Sequence, residues 1–376
     1  MEDKFFSYNS YYQWWKSIDK LIFSLIILLF LMGLFFSLVS TSLIASDKLE
    51  TKSYFFFFKH LIFVLVGIGI IFFFSYLSHK NLYKISILIF CLSLFLLFLV
   101  PVIGIEVKGS QRWLDLFILP RLQPIELVKP FLIVTLSLII SSKKYSNLNL
   151  KYLLSFLLIL IVGILLIIQP DLGQTLLIGL SWLILVYISG ISLLFLLGIF
   201  IIFSTSLIYM TIYIPKLYYI KSRLLSFFDS EGGTHNFQSD KAIESITSGG
   251  FFGKGIGEGT LKNRVPEAHT DYIISVISEE FGVTAIILIL ILFLIFIFSV
   301  FKKARIENEE KIKLILVGSI SLILMQVMIH VGVNIRLFPT TGMTLPYLSY
   351  GGSSIICVSI LSGIILNLTK RSIKQE

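Results

Sequence analysis

The strongest constraint on the fold of this chain is a series of long apolar segments separated by short polar ones. A helix that spans a bilayer needs about 20 mostly apolar residues. Ten segments approach or exceed that length, at about 20–44, 55–78, 83–104, 124–141, 152–168, 174–189, 191–213, 273–301, 312–334 and 353–369. The chain has 376 residues, of which 56% are hydrophobic and only 14% charged, so a water-soluble globule has too little interior to bury them. The sequence therefore predicts an all-α polytopic membrane protein with about ten transmembrane helices.

The distribution of Lys and Arg predicts the orientation of these helices. Sixteen of the 31 Lys and Arg residues lie at the two termini and in segments 79–84, 142–151 and 302–313, against eight in the opposite short segments. Because short cytoplasmic loops carry the positive excess, both termini are predicted to be cytoplasmic. Residues 214–272 then form a long extracytoplasmic loop between helices seven and eight, within a single membrane domain covering 1–376. The net charge of +9 is thus a topology signal, and nucleic acid is not expected as a partner.

Charged residues are costly inside a bilayer, so their positions indicate where function lies. In the predicted outer connections, Arg112 precedes Glu126 and Lys129, and the latter two share a helical face three residues apart. They form either a mutually neutralising ion pair that lets a helix enter lipid or the polar lining of a cavity near Arg112. Spacing alone does not choose between these interpretations. Asp171 precedes another predicted helix, which favours a helix-capping role.

A glycine-rich run occupies 248–259 in the long outer loop. It lacks the spacing of a nucleotide-binding P-loop because Lys254 is followed by glycine. The run instead predicts a flexible or tightly turned loop in which Lys254 and Lys262 are available to anions.

The long loop ends in a polar segment that contains Glu267, His269 and Asp271. These residues alternate, so an extended backbone would project them on one face. A general base at the membrane surface is the stronger chemical interpretation for Asp271 or His269. Helix capping is the more ordinary role for each residue taken alone. Three mixed ligands in one short segment are weak support for a metal, and no metal ligands are assigned.

The last predicted helix opens with Gly351, Gly352 and Ser353. Backbone N–H groups at such a helix start can bind an anion. Close helix packing through small residues explains the same composition, and both interpretations remain open.

Taken in order, these clusters resemble the SEDS family, the bacterial shape, elongation, division and sporulation proteins. The matching stretches are GSQRW at 109–113, QPIELVK at 123–129, QPDLG at 169–173, SGGFFGKGIGEG at 248–259, PEAHTDYI at 266–273, EEFG at 279–282 and LPYLSYGGSS at 345–354. PEAHTD and MTLPYLSYGGSS look more like the division branch, whereas GSQRWLDL is seen in elongation-type sequences. Ile125 departs from the family, which usually has Ser there.

The resemblance implies a peptidoglycan glycosyltransferase that polymerises lipid II, the undecaprenyl-pyrophosphate-linked disaccharide-peptide, at the outer face of the bacterial cytoplasmic membrane. Septal wall synthesis in cell division is the expected role. Asp271 matches the family's catalytic aspartate. The residues expected to bind the substrate or its pyrophosphate are Arg112, Glu126, Lys129, Lys254, Lys262, His269, Gly351, Gly352 and Ser353.

The expected partners are lipid II, the lipid bilayer, a class B penicillin-binding transpeptidase and other membrane proteins of the division complex. No cofactor is assigned, although a divalent cation (Mg²⁺ or Mn²⁺) would assist a departing pyrophosphate. The alternatives are an elongation-type polymerase, a lipid II flippase and a non-catalytic division scaffold.

Overall fold

The computed structural model describes residues 8–48, 54–107, 110–115, 121–142, 148–213, 221–223, 225, 227, 234–260, 265 and 267–370. Its helices are α1 (Tyr8–Ser17), α2 (Lys20–Lys48), α3 (Phe55–Tyr76), α4 (His79–Ile103), α5 (Pro124–Ile140), α6 (Leu148–Ile168), α7 (Leu172–Ile188), α8 (Leu193–Tyr213), α9 (Thr234–Gly249), α10 (Ile273–Ile306), α11 (Glu310–Asn334) and α12 (Gly352–Leu368). Two short antiparallel strands, β1 (Ile105–Val107) and β2 (Ser110–Trp113), form a hairpin between α4 and α5.

The helices confirm the prediction of an all-α polytopic membrane protein. Within the described residues, six helices are long and apolar enough to cross a membrane, namely α2, α3, α4, α6, α10 and α11. Shorter apolar helices are α7, the first half of α8, and α12. All ten segments predicted to span the membrane are helical. The number of crossings and the cytoplasmic location of the termini stay predictions.

The centre of the molecule is formed by α5, α11 and α12. In α11, 78% of the apolar, membrane-spanning stretch is buried inside the protein, against 22% of the corresponding stretch in α3 and in α10. Helix α12 packs against α3 and α5, and α5 also packs against α4 and α11. Buried polar side chains on these central helices, such as Lys129, Gln326 and Asn367, therefore face protein rather than lipid, where they can find hydrogen-bond partners.

Three local features add detail to the sequence prediction. The break predicted at Ser189-Gly190 is confirmed, because α7 ends at Ile188 and Gly190 has φ 108°. Helix α10 extends beyond the predicted 273–301 segment, and Gly282 (φ 77°, ψ 177°) breaks its helical geometry. The β1–β2 hairpin was not predicted, because strands of 3 and 4 residues leave too short a pattern to detect.

Candidate active site

The 335–351 loop, which connects α11 to α12, holds the turn that contains Asp271. The N–H group of Tyr350 donates to the carbonyl of His269 (3.0 Å). The hydroxyl of Ser349 donates to the carbonyl of Thr270 (2.6 Å). Two clusters that are separated in the sequence, one ending the 214–272 segment and one opening α12, therefore form a single unit.

Asp271 is partly exposed and lies at the end of a compact turn. Its N–H group donates to the carbonyl of Glu267 (3.1 Å), a residue with φ 57°. The amide of Asn334 at the end of α11 donates to the carbonyl of Asp271 (3.1 Å). The extended backbone expected for residues 267–271 is therefore wrong, because the chain turns back on itself there. Asp271 Oδ2 lies beside Gly342, where an added Cβ would be 3.5 Å away.

His269 is part of an aromatic cluster. Its ring centroid lies 5.1 Å from that of Phe56 on α3 and 5.9 Å from that of Tyr350. The ring centroids of Phe56 and Tyr350 are 5.7 Å apart. These contacts attach the Asp271 turn to α3 as well as to the 335–351 loop.

A second polar group joins β2 to the start of α7. Arg112 Nη1 lies 3.6 Å from Asp171 Oδ2, and Arg112 Nε donates to the carbonyl of Gln169 (3.3 Å). Asp171 Oδ1 accepts from the N–H group of Gln174 (3.3 Å), which confirms its capping role on α7. Burial raises the pKa of Asp171, and the charge of Arg112 opposes that shift.

Glu126 and Lys129 form a buried ion pair on α5. Lys129 Nζ lies 2.8 Å from Glu126 Oε1, and both side chains are at most 4% exposed. Gln174 Nε2 on α7 donates to the same oxygen (2.9 Å). The structure thus favours the neutralised pair over an open cavity lining, because Lys129 itself is 0% exposed.

Gln123 connects these two polar groups to the start of α12. Its side chain donates to Asp171 Oδ2 (3.4 Å), and its backbone N–H group donates to Ser353 Oγ (3.2 Å). Gly351 is the N-cap of α12, which begins at Gly352, one residue before the predicted 353–369 segment. The site residues on β2, α5, α7 and α12 therefore form one connected network.

Lys254 lies in a different environment. Its ammonium group is 3.4 Å from Glu279 Oε1 on α10, and its side chain is 34% exposed. The glycine-rich run is tightly turned, as predicted, with its backbone bonded to residues 279–284. Lys262 lies outside the described residues.

Sequence reasoning gave no role to Gln174 or Asn334, although both contact predicted site residues. The available signal was an amide side chain within or at the end of an apolar helix, where an unsatisfied polar group is costly. Gln174 is 4% exposed and Asn334 is 0% exposed. Among the described residues, no group of three or more His, Cys, Asp or Glu could hold a metal ion. The divalent cation stays a prediction.

Comparison with known proteins gives matches over almost the whole chain. The model of the FtsW/RodA/SpoVE family, described as cell cycle protein, matches residues 19–374. A probable peptidoglycan glycosyltransferase FtsW from Caulobacter vibrioides is 31% identical over 366 residues, covering 95% of this chain and 90% of the relative.

Solved structures give similar coverage. A chain of a peptidoglycan synthase complex, studied for its coordination of polymerization and crosslinking, superposes with a TM-score of 0.75 and 26% identity. The rod shape determining protein RodA of Thermus thermophilus superposes with a TM-score of 0.68 and 26% identity. Each match covers 94% of this chain and 97% of the solved chain.

Proposed function

Because the chain belongs to the FtsW/RodA/SpoVE family, the SEDS proteins, and is a peptidoglycan glycosyltransferase, we propose that Asp271 is its catalytic base and lipid II its substrate. The observation that carries the proposal is the position of Asp271. The residue is partly exposed, and it is fixed through its own backbone to α11 and, through its turn, to the 335–351 loop. A base that is placed by its backbone keeps its carboxylate in position for proton transfer.

The reaction joins two sugars and releases a lipid pyrophosphate. A sugar hydroxyl attacks the anomeric carbon of the donor, and Asp271 accepts the hydroxyl proton as the new C–O bond forms. The bond between the anomeric carbon and the pyrophosphate oxygen breaks, and undecaprenyl pyrophosphate leaves with that electron pair. Direct displacement inverts an α-linked donor into a β-linked product.

The departing pyrophosphate is anionic, so cations and N–H donors should stabilise it. Arg112 suits this role because its side chain is 12% exposed, whereas Lys129 is fully buried. The start of α12 at Gly352 and Ser353 supplies backbone N–H groups that are not needed within the helix. Ser353 joins this helix start to the Arg112–Asp171 group through Gln123. Mg²⁺ or Mn²⁺ would add further neutralisation.

Within its family, the chain is proposed to act in septal wall synthesis at the cytoplasmic membrane. The support is its similarity to relatives named FtsW, which covers 95% of the chain for the Caulobacter protein. The match to a synthase complex that polymerises and crosslinks suggests a transpeptidase partner, for which a class B penicillin-binding protein is proposed.

The test is polymerisation of fluorescent lipid II by the purified protein in detergent micelles, with and without the transpeptidase. We expect glycan strands to form in the absence of nucleotide. A flippase or a scaffold would give no polymer in micelles, because micelles offer no second membrane face and a scaffold has no chemistry. Repeating the assay with a chelator, and then with added Mg²⁺ or Mn²⁺, tests the cation.

A further inference from the structure

The turn at 250–257 exposes large apolar side chains although it lies in the polar outer segment. Phe251 is 75% exposed, Phe252 is 84% exposed and Ile256 is 64% exposed. Two adjacent phenylalanines directed into water would be unfavourable, and such exposed apolar groups commonly mark a contact surface. An apolar partner is therefore needed to cover these side chains.

The turn is fixed to α10 by backbone hydrogen bonds on both sides of the Gly282 kink. Before the kink, the N–H groups of Lys254 and Gly255 donate to the carbonyls of residues 279 and 280 (2.9 and 3.1 Å). After it, the N–H groups of Val283 and Thr284 donate to the carbonyls of residues 250 and 251 (3.0 and 3.2 Å). Because these four bonds join backbone groups on both sides of the kink, the position of the phenylalanines along α10 is well defined.

The position of the two phenylalanines along α10 coincides with one end of the lipid-facing surface of that helix. Thr284 is exposed, and so are Ile287 and Leu288 one turn later (51% and 56%). The same stripe continues through Ile291 and Leu294 (47% and 60% exposed), along a helix apolar enough to cross a membrane. The exposed phenylalanines are therefore continuous with a surface that faces hydrocarbon.

Contacts with the neighbouring helix α2 place the turn at the same depth in the membrane. The ring of Phe281 lies 5.7 Å from Phe35 and 5.5 Å from Phe36, both in the membrane-spanning part of α2. Lys254 follows the phenylalanines with its side chain 34% exposed. A partly exposed lysine next to lipid-inserted aromatic rings is typical of the headgroup level of a bilayer, and the ammonium group of Lys254 also pairs with Glu279 Oε1.

We propose that the 250–257 turn is a membrane anchor that inserts Phe251 and Phe252 into the lipid on the side of the bilayer where Asp271 lies. The partner is the lipid surface itself. The anchor joins the glycine-rich run to the bilayer just before the chain reaches the Asp271 turn, which keeps that turn at the lipid boundary.

The test is the accessibility of a nitroxide spin label at position 252 in the full-length protein. The background carries Cys91→Ala, because Cys91 is exposed, and keeps Cys357, which is fully buried. The label is attached to Phe252→Cys, and to Phe251→Cys as a second site, after reconstitution into phosphatidylethanolamine–phosphatidylglycerol vesicles. Collisions are measured with oxygen, which concentrates in lipid, and with a nickel chelate, which stays in water.

Two reference positions set the scale. Leu288→Cys reports the lipid-facing stripe, and Asn308→Cys reports the exposed connection between α10 and α11. We expect the oxygen-to-nickel ratio at positions 251 and 252 to match that at 288 and to be several-fold above that at 308. A ratio equal to that at 308, or protection from both reagents by a protein contact, would overturn the proposal. The measurement does not use polymerisation, so its outcome is independent of the proposed activity.

Discussion

The Asp271 turn and the Glu126–Lys129–Gln174 group are both polar and both connect to the α11–α12 region, but different atoms hold them. Asp271 is placed through its backbone, which bonds to Glu267 and to the amide of Asn334. In the Glu126–Lys129–Gln174 group, the side chains themselves form the bonds. A side-chain replacement should therefore leave the Asp271 turn folded but destabilise the buried group.

Lys129→Met should give the largest loss of stability, about 3–5 kcal/mol, because it leaves Glu126 as an uncompensated buried charge. Denaturant titration in micelles measures the free energy of unfolding. The double variant Glu126→Gln/Lys129→Met is the matched control and should recover most of that loss. If Lys129→Met were as stable as the wild type, the side chains would not hold this region as described.

Gly282→Ala tests a region held by backbone contacts between two segments. The new Cβ would lie 2.1 Å from the carbonyl oxygen of Phe251, at a φ of 77° that L-residues rarely adopt. We expect a loss of about 3 kcal/mol. Gly69→Ala in α3 is the control, since its Cβ meets nothing within 4 Å, and it should leave stability unchanged or slightly higher. Equal stability of both variants would mean that the turn separates readily from α10.

Arg112→Gln should cost about 2 kcal/mol, because it removes the cation opposite a buried carboxylate. Burial raises the pKa of Asp171 in the folded state, and Arg112 counteracts that shift. Without Arg112, the folded-state pKa of Asp171 rises further. Above the unfolded-state pKa, the unfolded protein ionises this carboxyl more readily than the folded protein does, so the folded state loses more stability as the pH rises. The difference in unfolding free energy from wild type should therefore be larger at pH 7 than at pH 4.5. Arg112→Lys keeps the charge and should lose less; a pH-independent difference would count against this explanation.

Asp19→Asn should have the smallest effect, about 1 kcal/mol, at an ion pair nearer to water. Asp19 Oδ2 lies 2.9 Å from Lys303 Nζ, and Oδ1 accepts from the N–H groups of Leu21 and Ile22. Burial alone would raise the pKa of Asp19, but the hydrogen bond and charge of Lys303 and the two N–H groups lower it overall. This stabilisation is present above the unfolded-state pKa and is lost as the pH falls. Wild type and Asp19→Asn should therefore converge in acid, and a gap that widened there would contradict the assignment.

The positions of the helices could be predicted from sequence because hydropathy is a local property that each segment carries by itself. The capping role of Asp171 and the Glu126–Lys129 pair were also predictable, since their partners lie within four residues. The kink at Gly282 was not, because a glycine in an apolar helix does not reveal its dihedral angles.

The assembly of the site depends on contacts between distant parts of the chain. Gln123 and Ser353 are 230 positions apart, and Asp271 and Asn334 are 63 apart. Neither pair leaves a periodic signal in a single sequence. The alternation of Glu267, His269 and Asp271 suggested an extended segment, but the turn prevailed because the 335–351 loop satisfies its carbonyls.

The central claim is that Asp271 acts in proton transfer and contributes little to folding or substrate binding. The direct measurement is polymerisation and lipid II binding, made side by side on one preparation of purified Asp271→Asn. We predict binding close to that of the wild type and turnover reduced by about 10²–10⁴-fold. Retained turnover, or binding and turnover lost together, would contradict the claim.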